Sequence, residues 1–358
     1  MAQTIGLPTE IKDGERRVAL DPSAVKMLVH SGLVALVQKG AGLGSGFKDQ
    51  DYSLVGARIV DSAAEAWSAD LVCKVKEPQP SEWAYLRPGL QLFAYLHLAA
   101  GPALTEALAN SGVEAYAFET LTWPKGLPLL APMSEIAGRA AAIVGAFHLA
   151  EGSGTLLGGA AGVPPARVVV IGMGVVGTMA ARGARGMDAE VTGVDVDLER
   201  LLEVHEQGIV TSTLYSNHHN VGEAVVNADL VVGAALVTGA RAPVVVTKDQ
   251  VESMRPGSVI VDLAIDQGGC VETSRPTSLS NPTYIEAGVI HYCVTNVPGQ
   301  YPRTSSRALS AAVIPRLIDL AKDPSSERLA GSLNVSNGEV VHPAVIASLR
   351  GDYQTAID

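Results

Sequence analysis

The chain is poor in aromatic residues and in cysteine, and each shortage narrows its class. Only 4% of its 358 residues are aromatic, whereas 47% are hydrophobic. Valine, alanine, leucine and isoleucine must therefore fill the core, which suits parallel sheets covered by helices on both faces. The three cysteines, Cys73, Cys270 and Cys293, are odd in number and lack the spacing of a metal site. We expect buried free thiols in a reducing cytoplasm, and no bound metal.

Long apolar runs and a surplus of positive charge are also missing. No apolar run reaches the roughly 18 residues that a membrane-spanning helix requires, and the first residues lack the basic region of a secretory signal. The formal net charge of −11 argues against nucleic acid or an acidic membrane surface as a partner. It does not exclude a small anionic substrate, which responds to local Arg and Lys residues. The length suggests two or three domains.

Predicted strands and helices alternate along the chain, which indicates an α/β fold with two doubly wound parallel sheets. A long Ala-rich helix over 134–150, capped by Ser134, separates two series of strands. The first series is predicted over 4–7, 33–38, 71–75, 90–94 and 114–119, and the second over 167–171, 190–195, 229–234, 258–263 and 288–294. Further helices are predicted over 22–31, 102–111 and 306–322.

A glycine-rich turn, Gly172-Met173-Gly174-Val175-Val176-Gly177, lies between a predicted strand and a predicted helix. Asp195 ends the next strand, eighteen residues after Gly177. This order is typical of a dinucleotide site, in which helix amides face the phosphates and the acid accepts the ribose hydroxyls. Such an acid would repel a 2′-phosphate, so the pattern favours NAD over NADP. A second glycine-rich turn over 40–46 lacks the following acid, and we expect a structural turn there.

Four polar residues lie near the ends of predicted strands, where parallel sheets bind ligands. Arg17 and Lys76 lie in polar segments, and each could simply be solvated. His97 lies in an apolar stretch and could be a hydrogen-bonded core residue. Asp266 follows a buried strand before a Gly pair, where a helix cap and an acid/base group are both possible. From the residues alone these alternatives stay open.

Taken together, these segments resemble the alanine dehydrogenase family, whose members interconvert L-alanine with pyruvate and ammonium using NAD. The likeness runs collinearly from about residue 4 to about residue 320. The matching stretches are 8–12, 17–19, 74–78, 96–99, 129–139, the 172–177 turn, 262–270 and 302–305.

The resemblance implies two Rossmann-like domains with the active site in the cleft between them, and a hexamer. The substrate domain would comprise 1–130 and 300–358, and the NAD domain 131–299. Arg17 and Lys76 would hold the substrate carboxylate, His97 and Asp266 would be the acid/base pair, and Asn296 would lie near substrate and nicotinamide. The implied NAD contacts are Ser134, Gly172, Gly174, Val175, Val176, Gly177, Asp195, Arg200, Ser216, Ala235, Leu236, Val237, Leu263, Asp266 and Asn296.

The chain departs from the family pattern near the expected substrate site. Val297 replaces a usual Met, Gln300 and Tyr301 add bulk and polarity, and the segment 120–126, which includes Trp123 and Lys125, is unusual. Two explanations of these changes stay open. One is neutral drift, and the other is that the substrate is a different amino acid or a different pair of 2-oxo acid and amine. Two further alternatives are the NAD(H)-binding subunit of a proton-translocating transhydrogenase and a non-catalytic NAD sensor.

Overall fold

The computed structural model describes residues 3–124, 126–235 and 242–350. The chain divides into two compact units, which are Met1–Met133 together with Gly299–Asp358, and Ser134–Pro298. We call them unit 1 and unit 2. Each contains its own sheet and its own aliphatic core.

The elements alternate between strand and helix along most of the described chain. The strands are β1 Thr4–Leu7, β2 Val34–Gln38, β3 Arg58–Val60, β4 Leu71–Cys73, β5 Gln91–Ala94, β6 Glu114–Ala117, β7 Arg167–Ile171, β8 Glu190–Asp195, β9 Ser212–Tyr215, β10 Leu230–Gly233, β11 Val259–Asp262, β12 Thr283–Glu286, β13 Val289–Tyr292, β14 Leu333–Ser336 and β15 Glu339–Val340. The helices are α1 Pro22–His30, α2 Asp49–Leu54, α3 Ala63–Trp67, α4 Pro102–Ser111, α5 Ala131–Gly152, α6 Val175–Arg185, α7 Leu198–Glu206, α8 His218–Val226, α9 Lys248–Glu252, α10 Pro302–Lys322 and α11 Pro343–Arg350.

The sheet of unit 1 has the order β15-β14-β6-β5-β4-β1-β2-β3. The six strands from β6 to β3 are parallel, and β14 and β15 add antiparallel strands at one edge. The strand order reverses between β1 and β4. Ligands of open parallel sheets bind at the carboxyl ends beside such a switch point, so the loops after β1, β4 and β5 are the candidates in this unit.

The sheet of unit 2 has the order β12-β13-β11-β10-β7-β8-β9, with only β12 antiparallel to its neighbour. Numbered along the chain, the six parallel strands of each unit follow the order 3-2-1-4-5-6. In unit 2 the switch point lies between β7 and β10. The central strands β7, β10 and β11 are mostly Val, Ile and Leu, because both faces of a parallel sheet are buried under helices. The predicted α/β class with two doubly wound parallel sheets is confirmed, and the sheets also carry the antiparallel strands β12, β14 and β15.

Some predicted boundaries were wrong. Helix α5 begins at Ala131, so Ser134 lies inside its first turn and is not its N-cap. Helix α10 likewise begins at Pro302, four residues before the predicted start. In both cases a proline stands in the first turn, where its missing N–H is not needed. The prediction also missed five strands, all short and at or near a sheet edge: β3, β9, β12, β14 and β15.

The cysteine prediction and the prediction for the second glycine turn agree with the structure. Cys73, Cys270 and Cys293 are buried and free. In the 40–46 turn, a Cβ on Gly44 would stand 2.6 Å from the carbonyl oxygen of Arg16. That turn is therefore packed against protein. Within the described residues, no helix is long and apolar enough to cross a membrane, and no group of three or more His, Cys, Asp or Glu side chains could hold a metal ion.

Candidate active site

The glycine turn of unit 2 connects β7 to α6 at the switch point of its sheet. Gly172 has a φ of 91°, and a Cβ there would stand 2.8 Å from the backbone of Ala234 and Ala235. A Cβ on Gly177 would stand 1.8 Å from the carbonyl oxygen of Gly172. These two positions therefore require glycine for the turn itself.

Gly174 differs from the other two glycines of the turn. It is exposed, its backbone is extended, and a Cβ built on it would meet nothing within 4 Å. It is also the N-cap of α6, whose first amides receive no side-chain cap. Open space in front of uncapped helix amides is what a pyrophosphate needs. The turn thus fits the phosphates of a dinucleotide.

Asp195 ends β8 and holds the glycine turn in place. Its Oδ2 accepts a hydrogen bond from the amide of Met173, and its Oδ1 accepts one from the amide of Asp197 at 3.0 Å. Each carboxylate oxygen can accept more than one hydrogen bond. The half-buried side chain of Asp195 can therefore still accept the hydroxyls of a ribose, as an NAD site requires.

The other predicted NAD contacts occupy several places in unit 2. Ser216 follows β9, and its amide donates to the carbonyl oxygen of Asp195 at 2.8 Å. Ala235 follows β10, and Leu263 follows β11 with its amide bonded to Gly233. Arg200 is an exposed residue of α7 whose guanidinium pairs with Glu203. Val175 and Val176 lie in the first turn of α6, Ser134 is half-buried in α5, and Leu236 and Val237 lie outside the described residues.

Asp266 lies in the loop after β11, with its side chain exposed. Its Oδ2 accepts a hydrogen bond from the backbone N–H of Asn296 at 3.3 Å, and Asn296 has a left-handed φ of 54°. The loop is anchored by the buried Asp262, which accepts hydrogen bonds from the amides of Ala264 and Cys270, both at 3.0 Å. The structure therefore brings Asp266 and Asn296 together on one loop cluster of unit 2.

Arg17 follows β1 in unit 1 and is only 2% exposed. Its Nε donates to Oε1 of Glu15 at 2.7 Å, its Nη2 pairs with Oε2, and its Nη1 contacts the sulfur of Met133 at 3.2 Å. Burial would raise the pKa of Glu15, but the hydrogen bonds and charge of Arg17 outweigh it and lower that pKa. The guanidinium fork, for which the family resemblance implies binding of a substrate carboxylate, is thus engaged by Glu15.

Lys76 follows β4 and is half-buried, close enough to Arg17 and Lys12 to sense their charges. Burial lowers the pKa of its amine, and the charges of Arg17 and Lys12 lower it further. Its backbone is held by Glu10, which accepts from the amides of Val75 at 2.6 Å and Lys76 at 3.3 Å. A half-buried amine whose charge is disfavoured by burial and by neighbouring cations gains from an incoming anion. The electrostatic surroundings of Lys76 therefore favour a small carboxylate.

His97 follows β5 and is exposed rather than buried in the core. Its imidazole stacks on the ring of Tyr95, with centroids 6.0 Å apart and planes 12° from parallel. Tyr95 is fixed in turn, because its hydroxyl donates to the carbonyl oxygen of Leu129 at 2.6 Å. An exposed imidazole held against a rigid ring is suited to proton transfer.

The acids that support the cations and the histidine of unit 1 were not predicted from the sequence. Glu10, Glu15 and Glu119 hold the backbone or side chains of Lys76, Arg17 and His97. Only the proximity of Glu15 to Arg17 in the chain offered a signal, because Glu10 and Glu119 reach residues that are 66 and 22 positions away.

The residues that depart from the family pattern have different surroundings. Val297 is buried, at 4% exposure, whereas Gln300 and Tyr301 are half-buried. The half-buried Trp123 carries the guanidinium of Arg328 over its ring, 5.4 Å from the centroid. Lys125 lies outside the described residues. Because Val297 is buried, replacing the usual Met by Val there changes the packing volume inside the protein.

Comparison with known proteins matches both halves of the chain to one family. The family model for the N-terminal domain of alanine dehydrogenase/PNT matches residues 6–137, and the model for the C-terminal domain matches residues 140–343. The chain is 47% identical to the alanine dehydrogenase of Bacillus subtilis (strain 168), over 98% of this chain and 96% of that protein.

Solved structures agree with the sequence comparison. An L-alanine dehydrogenase superposes with a TM-score of 0.93 at 47% identity, over 97% of this chain and 99% of that one. A transhydrogenase from Sinorhizobium meliloti superposes with a TM-score of 0.83 at 30% identity, over 96% of this chain and 100% of that one. The chain therefore belongs to the alanine dehydrogenase/PNT family.

Proposed function

We propose that the protein is an NAD-dependent dehydrogenase that oxidises L-alanine to pyruvate and ammonium and catalyses the reverse amination. The observation that supports this is the pair of neighbouring cations Arg17 and Lys76 in unit 1, whose sheet also leads to the exposed His97, in a chain 47% identical to an alanine dehydrogenase. Identity to the transhydrogenase structure is lower, at 30%, which favours the dehydrogenase.

Unit 2 is the proposed NAD domain and unit 1 the proposed substrate domain. The open Gly174, the uncapped start of α6 and the acceptor Asp195 support NAD binding at the switch point. Bound NAD would supply the redox chemistry, as acceptor or donor of the hydride at the α-carbon of alanine. The remaining chemistry consists of binding and proton transfer by side chains of the protein.

Arg17 and Lys76 bind and orient the substrate carboxylate, with Lys76 as the main point charge because Glu15 already engages the fork of Arg17. Loss of the hydride leaves an iminium ion, to which water adds before ammonia departs. His97 moves the protons of those two steps at its imidazole. Asp266 is the second acid/base group, and its carboxylate stabilises the developing cation. The backbone N–H of Asn296 donates a hydrogen bond to the Asp266 carboxylate and keeps it in place.

We also propose that the protein acts in the cytoplasm as a homohexamer, like the family it resembles. Its cysteines support the first part, because all three are buried free thiols. The hexamer is checked by native mass spectrometry of the purified protein, for which we expect six copies of the 37.1 kDa chain.

The test is oxidation of NADH with ammonium and a panel of 2-oxo acids: pyruvate, 2-oxobutyrate, glyoxylate, oxaloacetate, phenylpyruvate and a phosphono analogue. The panel is repeated with methylamine in place of ammonium. We expect the highest kcat/KM with pyruvate and ammonium. A higher value with another acid or amine would reject alanine as the substrate and assign Val297, Gln300 and Tyr301 a role in specificity.

A further inference from the structure

Glu119 follows β6 in unit 1, and its carboxylate lies beside the backbone of the segment that carries His97. Its Oε1 accepts from the amide of His97 at 2.6 Å and from the amide of Leu96 at 3.1 Å. Its Oε2 lies 3.2 Å from the same Leu96 amide. One carboxylate thus binds two consecutive amides.

The backbone of His97 is left-handed, with φ 51° and ψ 39°. A residue with a Cβ adopts this conformation only when its surroundings hold it there, because the side chain crowds the backbone. The neighbouring strands end before this point, since β5 stops at Ala94 and β6 at Ala117. Sheet hydrogen bonds therefore do not hold His97, whereas Glu119 does.

We propose that Glu119 is a positioning residue for His97. By binding the amides of Leu96 and His97, it holds the left-handed turn that places the imidazole against the ring of Tyr95. It acts through His97 and does not itself touch the substrate. The effect on turnover rests on the proposed function, in which His97 transfers protons. The hold on the backbone does not rest on it.

The test compares three variants for hydrogen exchange and kinetics. Glu119→Ala removes both acceptors. Glu119→Gln keeps one amide oxygen, which can occupy the place of Oε1 and accept from both amides without a negative charge. Glu114→Ala is the matched control, because Glu114 is a half-buried acid at the opposite end of β6 that accepts from the amide of Asn337 at 3.1 Å.

Exchange at the amides of Leu96 and His97 is measured first, by mass spectrometry of the peptide that contains them. For Glu119→Ala we expect exchange to be about tenfold faster or more, because a hydrogen-bonded amide becomes exposed. Glu119→Gln and Glu114→Ala should leave it near the starting value. Unchanged exchange in Glu119→Ala would overturn the proposal, whatever the substrate of the protein is.

Kinetic measurements then distinguish a specific effect of Glu119 on the position of His97 from a general loss of structure in unit 1. For Glu119→Ala we expect kcat with alanine to fall about 100-fold, the order expected for a misplaced reacting group. Its Kd for NADH should stay unchanged, and Glu119→Gln and Glu114→Ala should keep most of the kcat. Adding Glu119→Ala to His97→Ala should cause no further loss. A further loss there, an equal loss in Glu114→Ala, or an equal loss in Glu119→Gln would overturn the proposal.

These outcomes are distinct from a failure of the proposed function. If the unchanged protein oxidised no alanine, the proposed function would be rejected by that result alone. The exchange measurement would still decide whether Glu119 holds the backbone of His97, because it requires no substrate.

Discussion

The two units present their proposed ligand sites by different physical means. Unit 2 uses backbone, since its turn consists of glycines and helix amides and Asp195 is the charged residue that joins it. Unit 1 uses buried and half-buried charge, with the ion pair of Arg17 and Glu15 and the lowered pKa of Lys76. A backbone site is sensitive to added atoms, and a charge site is sensitive to pH and to loss of partners. Each unit should therefore respond to a different kind of perturbation.

The largest expected effect is the loss of stability when a Cβ atom is added to the glycine turn of unit 2. Gly177→Ala places a Cβ against the carbonyl oxygen of Gly172, and neither backbone can yield without opening the turn. We expect a loss of at least about 3 kcal/mol in the free energy of unfolding, as for severe overpacking. Thermal or denaturant unfolding of the purified variant measures it.

Gly174→Ala is the matched control, because its Cβ meets no protein atom. Its stability should change by no more than about 0.5 kcal/mol. Its affinity for NADH should fall about tenfold, equivalent to about 1.4 kcal/mol, because the methyl group stands where the pyrophosphate approaches. An equal loss of stability in both variants would show that the turn is not built as described.

His97→Ala breaks the chemistry of unit 1 without touching unit 2. We expect kcat to fall by about 10²- to 10⁴-fold, the usual contribution of a general acid/base group. The Kd for NADH, measured by fluorescence, should stay the same. A variant that keeps near-normal kcat would remove His97 from the proposed mechanism.

Asp195→Ala tests the charged residue of the backbone site. We expect affinity for NADH to fall about tenfold through lost hydrogen bonds, and the preference for NAD over NADP to weaken. Asp197→Ala serves as the control, because Asp197 caps α7 through the amides of Glu199 and Arg200. An unchanged cofactor preference in Asp195→Ala would exclude Asp195 from ribose binding.

The smallest effect is the pH dependence that Lys76 gives to unit 1. Lys76 binds a carboxylate only when protonated, and its pKa lies below the ordinary lysine value of 10.5. As pH rises through that lowered pKa, the charge is lost and pyruvate affinity should fall. The measurement is the Kd of pyruvate for the protein with NADH bound, followed from neutral to alkaline pH. Lys76→Arg should abolish the alkaline loss, since arginine stays charged. A loss that persisted in Lys76→Arg would assign it to another group.

The site of unit 2 was easier to predict from the sequence than the site of unit 1, because unit 2 builds its site from neighbouring residues of the chain. Strand, glycine turn, helix, second strand and terminal acid lie within 29 residues, from Arg167 to Asp195, so their spacing is visible in the chain. Edge strands such as β3 and β15 were missed, because short strands carry little periodic signal and depend on tertiary pairing. In unit 1 the polar residues at strand ends were visible, but their roles came from the resemblance. Their supports, Glu10 and Glu119, could not be predicted, because they act across long separations in the chain.

Transfer of hydride from the α-carbon of L-alanine to NAD is the central step of the proposed reaction. The direct measurement is incubation of the protein with NAD and L-alanine deuterated at the α-carbon, followed by mass spectrometry of the reduced cofactor and the 2-oxo acid. We predict one deuterium per NADH, an equal amount of pyruvate, and no reaction with D-alanine. Absence of deuterated NADH, with a protein that still binds NADH, would contradict the account.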